Sequence, residues 1–76
     1  MLKIKKRVEM CYISGEALRA QRQAAGLSQQ SLSDLIAAAT GIEVGQMRIS
    51  RMEKAFESPV EPVIAGTLVK IFSAKQ

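Results

Sequence analysis

The rhythm of apolar and polar positions changes once along the chain, near Ile13. Before it, Leu2, Ile4, Val8, Met10 and Tyr12 take alternate positions, and Lys3, Lys5, Arg7 and Glu9 take the others, with Lys6 the one break. A period of two predicts an extended segment, an arm or strand over residues 1–13. A lone strand has no mate inside a helical domain. It is left to pair with the same strand of a second copy, to join a partner protein through Leu2 to Ile13, or to remain a loose tail. As an arm, its four cations at positions 3, 5, 6 and 7 are placed to touch a phosphate backbone or a minor groove.

After Ile13 the period becomes helical. Ser14 reads as an N-cap, with Glu16 in the first turn where the helix dipole favours an anion. The first helix is predicted over 15–25 and stops at Gly26. Leu18, Arg22 and Ala25 share its inner face, while Arg19 faces solvent. An arginine on an inner face has two readings. Its stem covers the core edge while its head reaches water, or it meets a carboxylate inside the domain, for which Glu53 is the candidate. Ser28 caps a second helix from Gln29 to Ala39, ended by Thr40-Gly41, with apolar residues at 32, 35, 36 and 39. Gly45 opens a third helix from Gln46 to about Phe56. Its apolar line is Ile49, Met52 and Phe56, and its outer face is Gln46, Met47, Arg48, Ser50 and Arg51. Ser58-Pro59-Val60-Glu61-Pro62 breaks the pattern. A last helix runs from about Pro62 to Ser73, with Val63, Ile64, Leu68, Ile71 and Phe72 as its stripe.

Composition narrows the reading. Seventy-six residues make one small domain, and a 47% hydrophobic content suffices for a helical core. Exposed apolar surface left over would favour a homodimer. The net charge of +4 points to an anionic partner, nucleic acid before membrane. Cys11, the single cysteine, forms no intrachain disulfide and makes no zinc site by itself; an unpartnered thiol fits a reducing cytoplasm. No apolar run reaches the ~18 residues of a membrane span, and no apolar stretch follows Lys3 to Arg7 as a secretory signal requires. Histidine is absent, the acids are scattered, and no metal spacing, nucleophile motif or phosphate-cradling glycine loop occurs. The expectation is a chain that is not an enzyme and uses no cofactor or metal.

Three segments then carry a resemblance: Leu18-Arg19-Ala20-Gln21-Arg22, Gly26-Leu27-Ser28-Gln29-Gln30-Ser31-Leu32-Ser33 and Ile49-Ser50-Arg51-Met52-Glu53. Together they resemble the Cro/C1-type (Xre-like) helix-turn-helix family of phage repressors and related regulators, over about Ser14 to Phe72. The resemblance implies an all-α fold, a four- to five-helix lambda-repressor-like domain over 14–76, preceded by the extended segment. It implies that Arg22 pairs with Glu53 and that Gln29 approaches the DNA backbone. It implies that Gln46, Met47 and Arg51 face base edges, with Ile49 and Met52 buried. Two departures from the family stand out. The stretch Ala37 to Gly45 is longer than the usual connection, so the second helix is expected to gain a turn. Lys54-Ala55 replaces the common asparagine-glycine, so the third helix is expected to run further.

A recognition helix of this kind lies in the major groove of double-stranded DNA. Arg48 and Arg51 suit guanine, Gln46 suits adenine, Met47 suits a thymine methyl, and Ser50 reaches phosphate or base. Ser28, Gln29, Gln30 and Lys54 are the expected backbone contacts, which set register without reading sequence. The functional expectation is a cytoplasmic transcriptional regulator, by default a repressor, binding a two-fold operator as a homodimer. The last helix or the N-terminal segment would supply the dimer contact. The rival expectation is a protein-interaction module, an antitoxin or small adaptor, that uses the fold and the N-terminal strand to hold a partner protein.

Overall fold

The computed structural model describes residues 4–7 and 10–75. Leu2, Lys3, Val8 and Glu9, which belong to the alternating segment, lie outside the described residues, as does Gln76. The elements run β1 (Ile4–Arg7), β2 (Met10–Ser14), α1 (Gly15–Ala24), α2 (Gln29–Thr40), α3 (Gln46–Lys54), β3 (Glu57–Val60) and α4 (Pro62–Lys75). The result is a small, mostly helical domain with four helices and an antiparallel sheet in the order β1-β2-β3.

The expectation of an all-α domain therefore needs correction. The N-terminal segment is not one strand without a mate. It is two strands that pair with each other, Ile4 opposite Ile13 and Arg7 opposite Met10. The second then pairs with β3, Cys11 opposite Val60 and Ser14 opposite Glu57. Residues directly opposite each other share a face of the sheet. The buried positions of β2 are Cys11 and Ile13, not the Met10 and Tyr12 of the alternating set. Ile4 lies against the core with its partner Ile13. Two paired strands restart the alternation, so one parity cannot hold across both. With Cys11 and Ile13 in the core, the segment is part of the domain rather than an arm attached to it. β3 is the breaker segment itself: Pro59 sits on an edge strand, where a residue without an N–H is tolerated.

The helix boundaries follow local chemistry. The Ser14 hydroxyl accepts from the Ala17 amide at 3.2 Å, and the Ser28 hydroxyl from the Ser31 amide at 3.0 Å. α2 extends to Thr40, and the connection to α3 spans 41–45. Gly45, with φ 84°, turns the chain into α3 from a conformation that disfavours a side chain. The Gly45 amide donates to the buried hydroxyl of Ser33 at 3.1 Å, which ties the start of α3 to the middle of α2. α3 does not run on past Lys54, because Ala55 is extended, with ψ 149°. Phe56 thereby leaves the Ile49–Met52 line and is 89% exposed.

The core joins Leu18 of α1, Leu32 and Ile36 of α2, Ile49 and Met52 of α3, and Ile64, Leu68 and Phe72 of α4 to Cys11, Ile13 and Val60 of the sheet. Two of the predicted stripes prove narrower than expected. Ala39 of α2 and Val63 of α4 are exposed, since each lies at the margin of a face that needs only one buried position per turn. α1 packs on α3, and α2 packs on both α3 and α4. Where α1 meets α3, the approach leaves no room for a side chain. A Cβ on Gly15 would collide with the carbonyl oxygens of Met52, Ala55 and Glu53.

Gly15→Ala is therefore expected to cost about 1–3 kcal/mol or more, because the atoms it meets are backbone and cannot rotate away. In a domain of this size that lowers Tm by about 5 °C or more. A thermal melt followed by circular dichroism reads it, and an unchanged Tm would show that the two helices do not meet this closely.

Candidate nucleic-acid interface

Successive residues of a helix turn through about 100°. In α3, Ile49 and Met52 face the core, 1% and 5% exposed. Met47, Ser50, Arg51 and Lys54 consequently fall on the opposite side. Met47, Arg51 and Lys54 are exposed and Ser50 is half-buried; Gln46 is exposed at the first turn. The strip combines an apolar tip, a hydroxyl, a guanidinium and an ammonium, with no carboxylate among them.

One carboxylate fixes the position of this helix. Glu53, whose side chain is 3% exposed, accepts from Arg22 Nε at 2.6 Å and Arg22 NH2 at 3.0 Å. It also accepts from the Gln29 side-chain amide at 3.2 Å. Arg22 NH1 donates to the Leu27 carbonyl at 2.8 Å. A single cluster thus ties α3 to α1, to the turn between α1 and α2, and to the first residue of α2. The hydrogen bonds that Arg22 donates to Glu53 raise its guanidinium above its ordinary range against the opposing effect of burial, and the attraction of the opposite charge adds to them. No buried side-chain nitrogen or oxygen among the described residues lacks a partner.

Beside the cluster lies an open cleft of about 210 Å³, lined by Arg19, Arg22, Gln29, Ser50, Glu53 and Lys54. The cleft adjoins the N-terminus of α2, where amides and dipole favour an anion. Gln29, Ser50 and Lys54, picked out from the sequence, meet here. Arg19 was not picked out, although it stands one turn before Arg22 and so shares its flank. Ser28 is exposed and occupied as the α2 cap. Gln30 is exposed and donates along its own helix to Asp34 at 3.0 Å.

Arg48 departs from the expectation. It lies on the flank of α3, turned toward the start of α4, where NH2 donates to Glu61 Oε1 at 2.7 Å. NH1 reaches Glu61 Oε2 at a longer 3.4 Å. The sequence leaves it on the outer face with Arg51 because it lies off the Ile49–Met52–Phe56 line, whereas its angle puts it to the side. No sequence signal links it to Glu61, since the two meet only when β3 brings the chain back. Glu61 is held below the usual carboxylate range, first by the hydrogen bond from Arg48, against desolvation, and with help from a backbone hydrogen bond and the Arg48 charge. Whatever the pair contributes is present above the ordinary carboxylate pKa and is lost as pH falls through the lowered one.

Among the described residues no group of three or more His, Cys, Asp or Glu is placed to hold a metal. No helix among them is long and apolar enough to cross a membrane. No family model, curated protein or solved structure matches the chain.

Removing Glu53 leaves the Arg22 guanidinium, 12% exposed, without its carboxylate. Glu53→Ala is expected to cost about 3 kcal/mol, the range for breaking a largely buried pair. A denaturant titration measures it, and a loss within error of zero would show that the cluster carries no structural weight.

Proposed function

We propose that this domain reads double-stranded DNA with α3 and acts as a transcriptional regulator. The observation that carries the reading is the division of α3 into a dry back and a free front. Ile49 and Met52 anchor it, while Met47, Arg51 and Lys54 stand exposed with Ser50 between them. The helix fits the major groove, which admits one α-helix. Arg51 donates a fork to guanine, Met47 presses on a thymine methyl, and Gln46 pairs with adenine. Lys54 and Arg19, on the rim of the cleft, hold phosphates on either side of it, with Gln29 and the α2 amides between them. Gln29 does so while its side chain remains tied to Glu53.

A single module of this size makes few base contacts. In this reading two copies sit on a two-fold site with half-sites about one helical turn apart, and occupation of a promoter blocks transcription. Selection of bound duplexes from a random library tests the proposal directly. The winners should share a motif with two-fold symmetry, and binding to it should weaken steeply with added salt through counterion release.

One observation favours the protein-interaction reading. In the order β1-β2-β3, the outer edge of β1 has no strand beside it among the described residues. A partner strand added there would be held by backbone hydrogen bonds, and its affinity would depend weakly on salt. A partner captured with that weak dependence, together with no duplex selected, would move the conclusion to an antitoxin or small adaptor.

In the DNA reading, Arg51→Ala should reduce affinity for the selected duplex by about 1–3 kcal/mol and relax specificity at one base pair, with a smaller effect on an arbitrary duplex. Equal losses on both duplexes, in a fluorescence anisotropy titration, would make Arg51 a phosphate contact instead.

A further inference from the structure

The Arg48–Glu61 pair is left over from the interface, and its placement gives it a use. Arg48 stands on the flank of α3, between the exposed strip and Glu61, the residue before α4. On the proposed docking, that flank faces a wall of the groove, where the nearest anions are phosphates. A free arginine there would bind any sequence.

Glu61 is fixed in place from both sides. Val60 before it is paired with Cys11 and fully buried. Its own carbonyl accepts from the Ile64 and Ala65 amides, both at 3.0 Å, which begins α4. The carboxylate is therefore presented to Arg48 by the scaffold rather than found by chance on a mobile tail. The two side chains are 37% and 39% exposed, so the pair is open to competition by another anion and contributes little net stability.

We propose that Glu61 is a restraining residue, whose carboxylate holds Arg48 away from the phosphates and so lowers affinity for duplexes of any sequence. This rests on the DNA-binding reading above. A phosphate contact adds about equally on every sequence, so withholding one sets overall affinity rather than the choice of site. Nonspecific affinity is almost wholly phosphate attraction, so an arbitrary duplex reads the withheld cation most directly.

The test uses the full chain, a labelled duplex of arbitrary sequence and the duplex chosen by selection. Glu61→Gln keeps the size and the α4 carbonyl contacts and removes the charge. It should tighten binding to the arbitrary duplex and steepen its log–log salt slope by about 0.9, the value for one added phosphate contact. Affinity for the selected duplex should rise by a similar factor, as for any phosphate contact. In the Arg48→Ala background the same change should do nothing. A gain that persists without Arg48 would overturn the proposal, because Glu61 would then be acting through its own repulsion of DNA. An unchanged slope in Glu61→Gln, with the parent chain binding normally, would overturn it as well. Absence of salt-dependent binding by the parent chain would overturn the DNA reading itself and this inference with it. Glu61→Ala repeats the measurement with a side chain that cannot hydrogen-bond to Arg48, and the same outcomes decide it.

Discussion

A carboxylate sits almost out of reach of water on the inner side of α3, and the arrangement of the helices depends on it. Glu53 accepts three hydrogen bonds from two residues, Arg22 and Gln29, while the remaining arm of Arg22 takes the Leu27 carbonyl. Such a cluster contributes less to net stability than its short distances suggest, because both charges give up their hydration. Its larger effect is on geometry. A packing that parted α3 from α1 at this cluster would leave Arg22 or Glu53 buried without its partner, and that is expensive. The direction of α3 relative to the start of α2 is set by this requirement.

The packing around the cluster leaves little freedom. Gly15 admits α1 against the last carbonyls of α3, and Ser33 holds the amide of Gly45 where α3 begins. The helix is thus held at its first turn, along its back and at its end. On this helix Gln46, Met47, Arg51 and Lys54 stay exposed. A short helix, nine residues here, would fray if isolated in water. Held at three places, it can present side chains at fixed spacing, which is what recognition of a rigid surface requires.

How much of this was legible depended on distance along the chain. Ser14, Ser28 and Gly45 act on their own neighbours, and the helix starts they mark are where the sequence places them. The Arg22–Glu53 contact spans two helices; an inward arginine raised the question, and a family resemblance suggested the answer. The sheet escaped notice for the opposite reason. Glu57-Ser58-Pro59-Val60 has one buried aliphatic residue and a proline, and nothing in it marks a strand until Met10 to Ser14 lies alongside. Phe56 fitted a helical spacing that the extended Ala55 had already ended. Lying off the apolar line places Arg48 on the same outer face as Arg51 in the sequence, yet its position around the helix, and Glu61 beyond the next strand, decide where it points.

The pairing of Ser14 with Glu57 closes a loop that contains three of the four helices. Local turns form early in folding, but a contact between such distant residues must first overcome the entropy of the chain between them. The β2–β3 half of the sheet therefore forms late, unlike the local β1–β2 pair, and folding should be slower than in an all-helical protein of equal length. During synthesis on the ribosome, β2 must wait with one edge bare until Val60 emerges. Throughout that interval the nascent chain is most open to pairing with a stranger.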